Sequence, residues 1–377
     1  MSPEIRSARN AAASWRHVDW LIIAAVGGIS AISLLMIYSS TRQKQIGSGL
    51  DPSYFLQRQA LFLAIGLVAM VAVMVVDYKV LLDLAPALSI GGVLALLLVL
   101  SPIGSVHRGA QAWFNIGPYQ LQPSELAKLI LIVGLAAYCS AHRGELDTPR
   151  LLGALALVAV PLLLIYAQND LGTAMVFVAI VLGMLLIGGA SGRQLGVLLV
   201  LGLVAVAAVL QLGVLKEYQR DRVTAFLDPQ DDSVRSAYNL RQSQIAIAAG
   251  GLGGRGLFRG TQTNLSFVPE QHTDFIFTAV GEELGFVGAT TLLALFGLVI
   301  WRTWRTASAA RDQFGQLLCV GVLAMLVFQI FENVGMTMGI TPIAGIPLPM
   351  MSYGGSSVIT SLMAVGLVVN VYMRRFR

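Results

Sequence analysis

The sequence predicts an all-α polytopic membrane protein with about ten transmembrane helices and one large extracytoplasmic loop between spans seven and eight. Composition is the first reason. Of 377 residues, 56% are hydrophobic and 12% charged, against roughly 25% charged in a soluble domain. Mean hydropathy is +0.74. The second reason is that apolar residues come in blocks near the ~20 needed to cross hydrocarbon. The third is weak periodicity within those blocks, as expected where lipid and neighbouring helices are both apolar.

The spans fall near 20–39, 58–76, 80–101, 121–140, 151–168, 171–190, 194–213, 274–301, 315–337 and 355–373. Residues 1–19 are polar and basic with no cleavage site after the first block, so this end does not read as a cleavable signal. Only Ala167-Gln168-Asn169-Asp170 separates the fifth and sixth spans, which predicts a tight turn at a membrane face. Short loops on one face carry Arg6, Arg9, Arg16, Lys79, Arg143, Arg150, Arg193, Arg302, Arg305, Arg311, Arg374, Arg375 and Arg377. Those on the other carry only Arg42, Lys44, Arg58 and Arg108. The first set is expected in the cytoplasm, which puts both termini inside and the long loop, 214–273, outside. The chain reads as one domain, 1–377, with that loop as a subdomain and no internal repeat. Cys139 and Cys319 lie in apolar blocks, without metal or disulfide spacing. A net charge of +5 in such a chain speaks of topology and anionic lipid before nucleic acid.

Polar groups beside a bilayer need a reason, and four clusters stand out. Gln122-Pro123-Ser124-Glu125-Leu126-Ala127-Lys128 opens the fourth span. Pro123 suits a first turn, Ser124 or Gln122 can cap it, and Glu125 and Lys128 share a face at i, i+3. They are either a structural ion pair or part of a site. The long loop holds Arg220, Arg222, Arg255 and Arg259, a basic set able to hold phosphate or simply a solvated surface. Its glycine run, Gly250-Gly251-Leu252-Gly253-Gly254-Arg255-Gly256, lacks a Walker lysine and predicts close backbone approach instead. In Pro269-Glu270-Gln271-His272-Thr273-Asp274-Phe275-Ile276-Phe277, Asp274 begins a span, as an N-cap or as a partly desolvated base. Glu282 and Glu283 lie deeper, as a polar pathway or a structural pair. From Asn333 to Ser357, prolines and glycines interrupt apolar sequence, which predicts a cavity-lining or re-entrant segment.

These motifs, read together, carry a resemblance. Pro347-Leu348-Pro349-Met350-Met351-Ser352-Tyr353-Gly354-Gly355-Ser356-Ser357 is similar to the signature of the SEDS family (shape, elongation, division and sporulation). So are Gln122–Lys128, Asn169-Asp170-Leu171-Gly172-Thr173-Ala174, Tyr218-Gln219-Arg220-Asp221-Arg222-Val223 and Pro269–Phe277, in family order over nearly the whole chain. Gly260-Thr261-Gln262-Thr263 resembles the rod-shape branch more than the division branch. The resemblance implies a peptidoglycan glycosyltransferase that polymerises lipid II outside the plasma membrane during cell elongation. It also implies a class B penicillin-binding protein as partner and a divalent metal, Mg or Mn. It places the essential aspartate on Asp274, the helix-four carboxylate and lysine on Glu125 and Lys128, both taken as catalytic, and a basic residue on Arg58. Arg58, Arg108, Arg220 and Arg222 are the candidates to hold the pyrophosphate leaving group, with His272 a further substrate-binding candidate. A lipid II flippase and a non-catalytic scaffold are the rival functions. One departure is Gly109-Ala110-Gln111-Ala112-Trp113, where many relatives have a basic residue in place of Ala112.

Overall fold

In a computed structural model, the protein is a bundle of long helices. The structure describes residues 17–107, 109–142, 146–211, 217–228, 235–265 and 267–375. The helices are α1 (Trp20–Gly47), α2 (Tyr54–Val75), α3 (Tyr78–Leu100), α4 (Pro123–Ala141), α5 (Thr148–Ala167), α6 (Leu171–Ile187), α7 (Gly192–Gln211), α8 (Glu217–Leu227), α9 (Arg235–Gly250), α10 (Thr261–Asn264), α11 (Ile276–Ser308), α12 (Gln313–Met338) and α13 (Gly355–Arg374). Eight of them are long and apolar enough to cross a membrane, and α6 and the stretch Gly192–Ala205 are shorter apolar helices. The chain is a multi-pass membrane protein. Each of the ten expected spans falls on one of these helices.

The interior is built from α4, α12 and α13, the most buried of the spans. Their contact faces are small or apolar: a Cβ on Gly321 of α12 would meet Ile132 of α4 and Met184 of α6. α13 packs closely on α2. There Asn370 Nδ2 donates to the carbonyls of Val73 and Val76 at 2.5 Å each, and Arg374 Nη2 donates to Val75 O at 2.9 Å. These bonds satisfy carbonyls that the end of α2 leaves without intrahelical partners.

Four of the helices that start on the face opposite the long loop carry aspartate caps, and Ser191 Oγ accepts from Gln194 N at the start of a fifth, α7. Asp19, Asp77, Asp147 and Asp312 accept from Ile22 N, Lys79 N, Arg150 N and Gly315 N respectively. Asp19 also pairs with Arg302 at 2.6 Å, tying α1 to the far end of α11.

A feature not foreseen is an antiparallel meander between α3 and α4. It comprises β1 (Ser105–His107), β2 (Ala110–Ile116) and β3 (Tyr119–Leu121), in the order β1-β2-β3. The long loop is not a free-standing lobe either. α11 breaks at Gly285 (φ 66°, ψ −162°), and the glycine run pairs with the broken strand of backbone. Arg255 N and Gly256 N donate to the carbonyls of Glu282 and Glu283, while Phe286 N and Val287 N donate to those of Gly251 and Leu252. A Cβ on Gly254 would sit 2.2 Å from Glu283 O, so only glycine permits the approach. A broken membrane helix persists where protein satisfies its freed groups, and here the loop does so.

Candidate active site

A cavity of about 570 Å³ opens on the face where the long loop emerges. The beginnings of α2, α4, α6 and α13 line it, together with Glu270 and His272–Asp274 just before α11, β2 and the loop after β2, and the extended stretch Ala344–Pro347.

α4 delivers the first pair. Lys128 Nζ lies 2.7 Å from Glu125 Oε1, and both side chains are almost wholly buried. Glu125 Oε2 has no hydrogen-bond partner among the described residues. Neither Gln122 nor Ser124 caps α4, as had been expected of one of them. Both side chains turn instead to Asp170 of the α5–α6 turn. Asp170 Oδ2 accepts from Gln122 Nε2 at 2.9 Å, Ser124 Oγ at 3.2 Å and Thr173 Oγ1 at 2.8 Å, and Oδ1 accepts from Thr173 N at 3.0 Å. One carboxylate thus caps α6 and holds the start of α4 against it.

Asp274 precedes α11. The N-cap position of α11 is Phe275, one residue after Asp274, and its side chain makes no capping bond. The amide of Asn333, fully buried in α12, fixes its backbone, donating to Asp274 O and to Ile346 O at 2.8 Å each. On the other side of the cavity wall, Arg222 of α8 donates to Ala344 O at 3.0 Å. Gly345 lies between the two charged groups: a Cβ there would be 3.4 Å from Arg222 Nη2 and 3.6 Å from Asp274 Oδ2, and its φ is +70°.

At the mouth, Arg58 donates to Pro118 O at 2.5 Å and lies over the rings of Tyr54 and Tyr119 at 4.8 and 5.1 Å. His272 packs among aromatics, 5.0 Å from Phe55 and 5.5 Å from Tyr353 between ring centroids. Burial pushes the Tyr353 phenol above its ordinary value, and its hydrogen bond with Arg58 opposes that rise.

The cavity therefore brings together Asp274, Glu125, Lys128, Arg58, Arg222 and His272. It does not include Arg220, which is exposed on α8, because side chains two apart on a helix point to different sides. Arg108 lies outside the described residues. Ala112, where a basic residue had seemed missing, is 1% exposed and does not line the cavity, whereas its neighbour Trp113 does. Glu282 and Glu283 also point elsewhere. Glu282 accepts from Gln262 N and Thr263 N at 2.8 and 2.9 Å, and Glu283 accepts from Ser39 Oγ and Phe258 N at 2.6 and 3.2 Å. Of the two readings open for them, they are structural anchors for the loop.

Electrostatics distinguish this end of the bundle. α2, α4 and α13 begin at the cavity and α11 just beyond Asp274, and the N-cap residues of all four make no side-chain cap, unlike the four aspartate-capped helices of the opposite face. Uncapped N-termini present amide N–H groups and the positive ends of helix dipoles, which favour an anion.

The profile of the FtsW/RodA/SpoVE family, described as "Cell cycle protein", matches residues 19–376. The chain belongs to this family. It is 37% identical over 362 residues to the peptidoglycan glycosyltransferase MrdB of Escherichia coli K12, covering 95% of this chain and 94% of that one. To the stage V sporulation protein E of Bacillus subtilis it is 36% identical over 356 residues, 94% and 96% of the two chains. Its fold matches the rod shape determining protein RodA of Thermus thermophilus with a TM-score of 0.72 at 30% identity, covering 96% and 99% of the two chains. A chain from a structure on the coordination of polymerization and crosslinking by a peptidoglycan synthase complex matches with a TM-score of 0.81 at 34% identity, again over 96% and 99%.

Proposed function

We propose that the chain is a peptidoglycan glycosyltransferase of cell elongation that polymerises lipid II, with Asp274 as the general base. The observation that carries this is the cavity itself. It puts a carboxylate, a buried carboxylate–lysine pair, two arginines and uncapped helix N-termini around one volume beside lipid. The relatives named for glycosyl transfer support the reaction class. Asp274 takes the proton of the acceptor sugar's 4-hydroxyl as that oxygen attacks the donor's anomeric carbon. The bond from that carbon to the pyrophosphate oxygen breaks, and the lipid pyrophosphate leaves. One base and one displacement invert the anomeric centre. Arg222, Arg58 and the four helix N-termini oppose the charge that grows on the leaving group. Lys128 and Glu125 orient substrate.

The family expectation of a divalent ion fits one observation, the buried Glu125 Oε2 that no donor among the described residues reaches. Among the described residues no three His, Cys, Asp or Glu side chains form a cage. Glu125 would therefore hold Mg²⁺ or Mn²⁺ jointly with phosphate oxygens, as hard ions are often held, and the ion would supply charge to the leaving group. The partner is a class B penicillin-binding protein, consistent with the synthase complex that the fold matches. The place is the bacterial plasma membrane, with both termini cytoplasmic and the cavity outside.

The test is lipid II polymerisation by the purified protein with its partner, comparing wild type and Asp274→Asn at equal folding. Strands from wild type and none from the variant are expected. Equal strands from both overturn the base role. No strands from either, where a related pair is active, overturns the enzyme reading.

A further inference from the structure

We infer that the loop between α9 and α10, with the outer end of α1, forms a binding site for an anionic phospholipid of the surrounding leaflet. The site is separate from the cavity. The inference depends on the proposed function only for which leaflet this is.

Sequence gives the first observation. Residues 235–265 contain four arginines and no aspartate, glutamate or lysine. Apolar side chains share the stretch: Ile245, Leu252, Leu257 and Leu265 are exposed. A basic stretch with an exposed apolar side is the pattern of a segment lying in the membrane interface.

Depth is the second. Trp20, Trp301 and Trp304 are exposed at the far ends of α1 and α11, where aromatic residues mark a membrane boundary. At ~1.5 Å per residue, Arg42 stands about 33 Å above Trp20. Phe286 stands about 22 Å above Trp301 on the same measure. Against a hydrocarbon core roughly 30 Å thick, Glu282–Gly285 reaches the boundary on the cavity face. The glycine loop is hydrogen-bonded to that stretch, so it lies at the same level. Leu252, 77% exposed, sits beside Val287, 62% exposed, so the apolar surface of α11 continues onto the loop.

Charge is the third. Arg42 lies over the ring of Phe258 at 5.2 Å, so the guanidinium of α1 meets the loop that carries Arg255 and Arg259. Neither Arg42, Arg255 nor Arg259 forms an ion pair among the described residues, and none lines the cavity. The nearby carboxylates, Glu282 and Glu283, are buried and occupied by the amides of 258–263. Arginines at the rim of hydrocarbon are stable where something anionic meets them. A lipid phosphate stands at that height, and its acyl chains match Leu252, Val287 and Phe286.

The loop is also built to keep these residues in place. Phe258 has φ +65°, an uncommon backbone for a bulky side chain. Its N–H is held by Glu283 and its carbonyl by Asn264 Nδ2 at 3.0 Å. That fixed turn sets the ring against Tyr38 and Arg42.

The test uses the full-length protein in nanodiscs of phosphatidylcholine with 30% phosphatidylglycerol, followed by mass spectrometry of retained lipid. The Arg42 and Arg259 side chains make no hydrogen bond among the described residues, so Arg42→Gln/Arg259→Gln should melt within a few degrees of wild type. Arg255 donates to Ala249 O and Thr261 Oγ1 and is varied second. Wild type should retain phosphatidylglycerol over phosphatidylcholine by about 5-fold or more. The double variant should lose most of that preference, a double Arg→Lys variant should keep it, and an Arg311→Gln control on the far face should not change it. Equal retention by wild type and double variant overturns the site. Displacement by 50 mM inorganic phosphate assigns the patch to a free anion instead. Displacement by equimolar undecaprenyl phosphate assigns it to the carrier lipid. Loss of partner binding with unchanged lipid retention assigns it to a protein.

Discussion

Asp170→Ala should damage the enzyme without touching any group proposed to react. The wild-type carboxylate accepts four hydrogen bonds, two within α6 and two from α4. Loss of an N-cap costs about 1 kcal/mol. Each of the bonds from Gln122 and Ser124 adds about 1 kcal/mol at the typical net value, for a total of about 3 kcal/mol. The melting temperature should then fall by on the order of 5 °C. The larger effect is geometric. Ser124 and Glu125 are adjacent, so freeing the start of α4 loosens the Glu125–Lys128 pair, and a displacement of about 1 Å can cost 100-fold in rate. Asp170→Asn separates the two effects. Its amide oxygen still caps Thr173 N, and Gln122 can rotate its own amide to accept from the new NH₂. It should unfold near wild type and keep more activity than the alanine variant. Thermal unfolding and lipid II polymerisation on the same preparations decide the matter. An alanine variant that melts and polymerises like wild type would falsify the reasoning.

Three further outcomes rest on single contacts. Lys128→Met should destabilise by about 3–5 kcal/mol, because it leaves Glu125 charged and buried. Glu125→Gln/Lys128→Met should recover most of that stability and no activity, as unfolding scans and strand synthesis would show. Gly345→Val should place carbon against Arg222 and Asp274 in a strained left-handed backbone. We expect a fall in rate of 10-fold or more with the protein still folded; a rate within 2-fold of wild type refutes the placement. Gly254→Ala drives a Cβ into Glu283 O, and a normal yield with wild-type melting would refute the pairing of loop and broken helix.

How much of this was legible depended on how far apart the interacting groups lie in the chain. The spans were readable because hydrophobic thickness is a local property. The break after Met338 was readable from Pro342, Pro347 and Pro349, and the close approach of the glycine run from composition alone. Asp170 was visible as part of a motif and of a tight turn. Its hold on Gln122 and Ser124, 48 and 46 positions away, has no local signature. The same applies to Glu282 and Glu283. Two adjacent carboxylates in an apolar block suggest a pathway or a pair, and only the fold reveals that loop amides 19–25 residues earlier require them. The meander was missed because β1 and β3 have three residues each and because Ala112, Trp113 and Phe114 of β2 are consecutive rather than alternating apolar residues. The β1–β2 register also shifts between Ser105 and Val106.

The arrangement of caps bears on how the site holds an anion. Many relatives have a basic residue in place of Ala112, yet that position is buried and does not line the cavity. The cavity face offers another source of positive potential. Each helix that enters the membrane there points its dipole the same way, so α2, α4, α11 and α13 add at one volume. Aspartates cap α1, α3, α5 and α12 at the opposite face. A capping carboxylate at Gln122, Phe275 or Gly354 would improve its helix and cancel part of the field. The one cap present, Asp170, is surrounded by four donors and held back against α4 and α6. Local helix stability is thus given up at the ends that face the substrate, where the uncapped amides serve the leaving group.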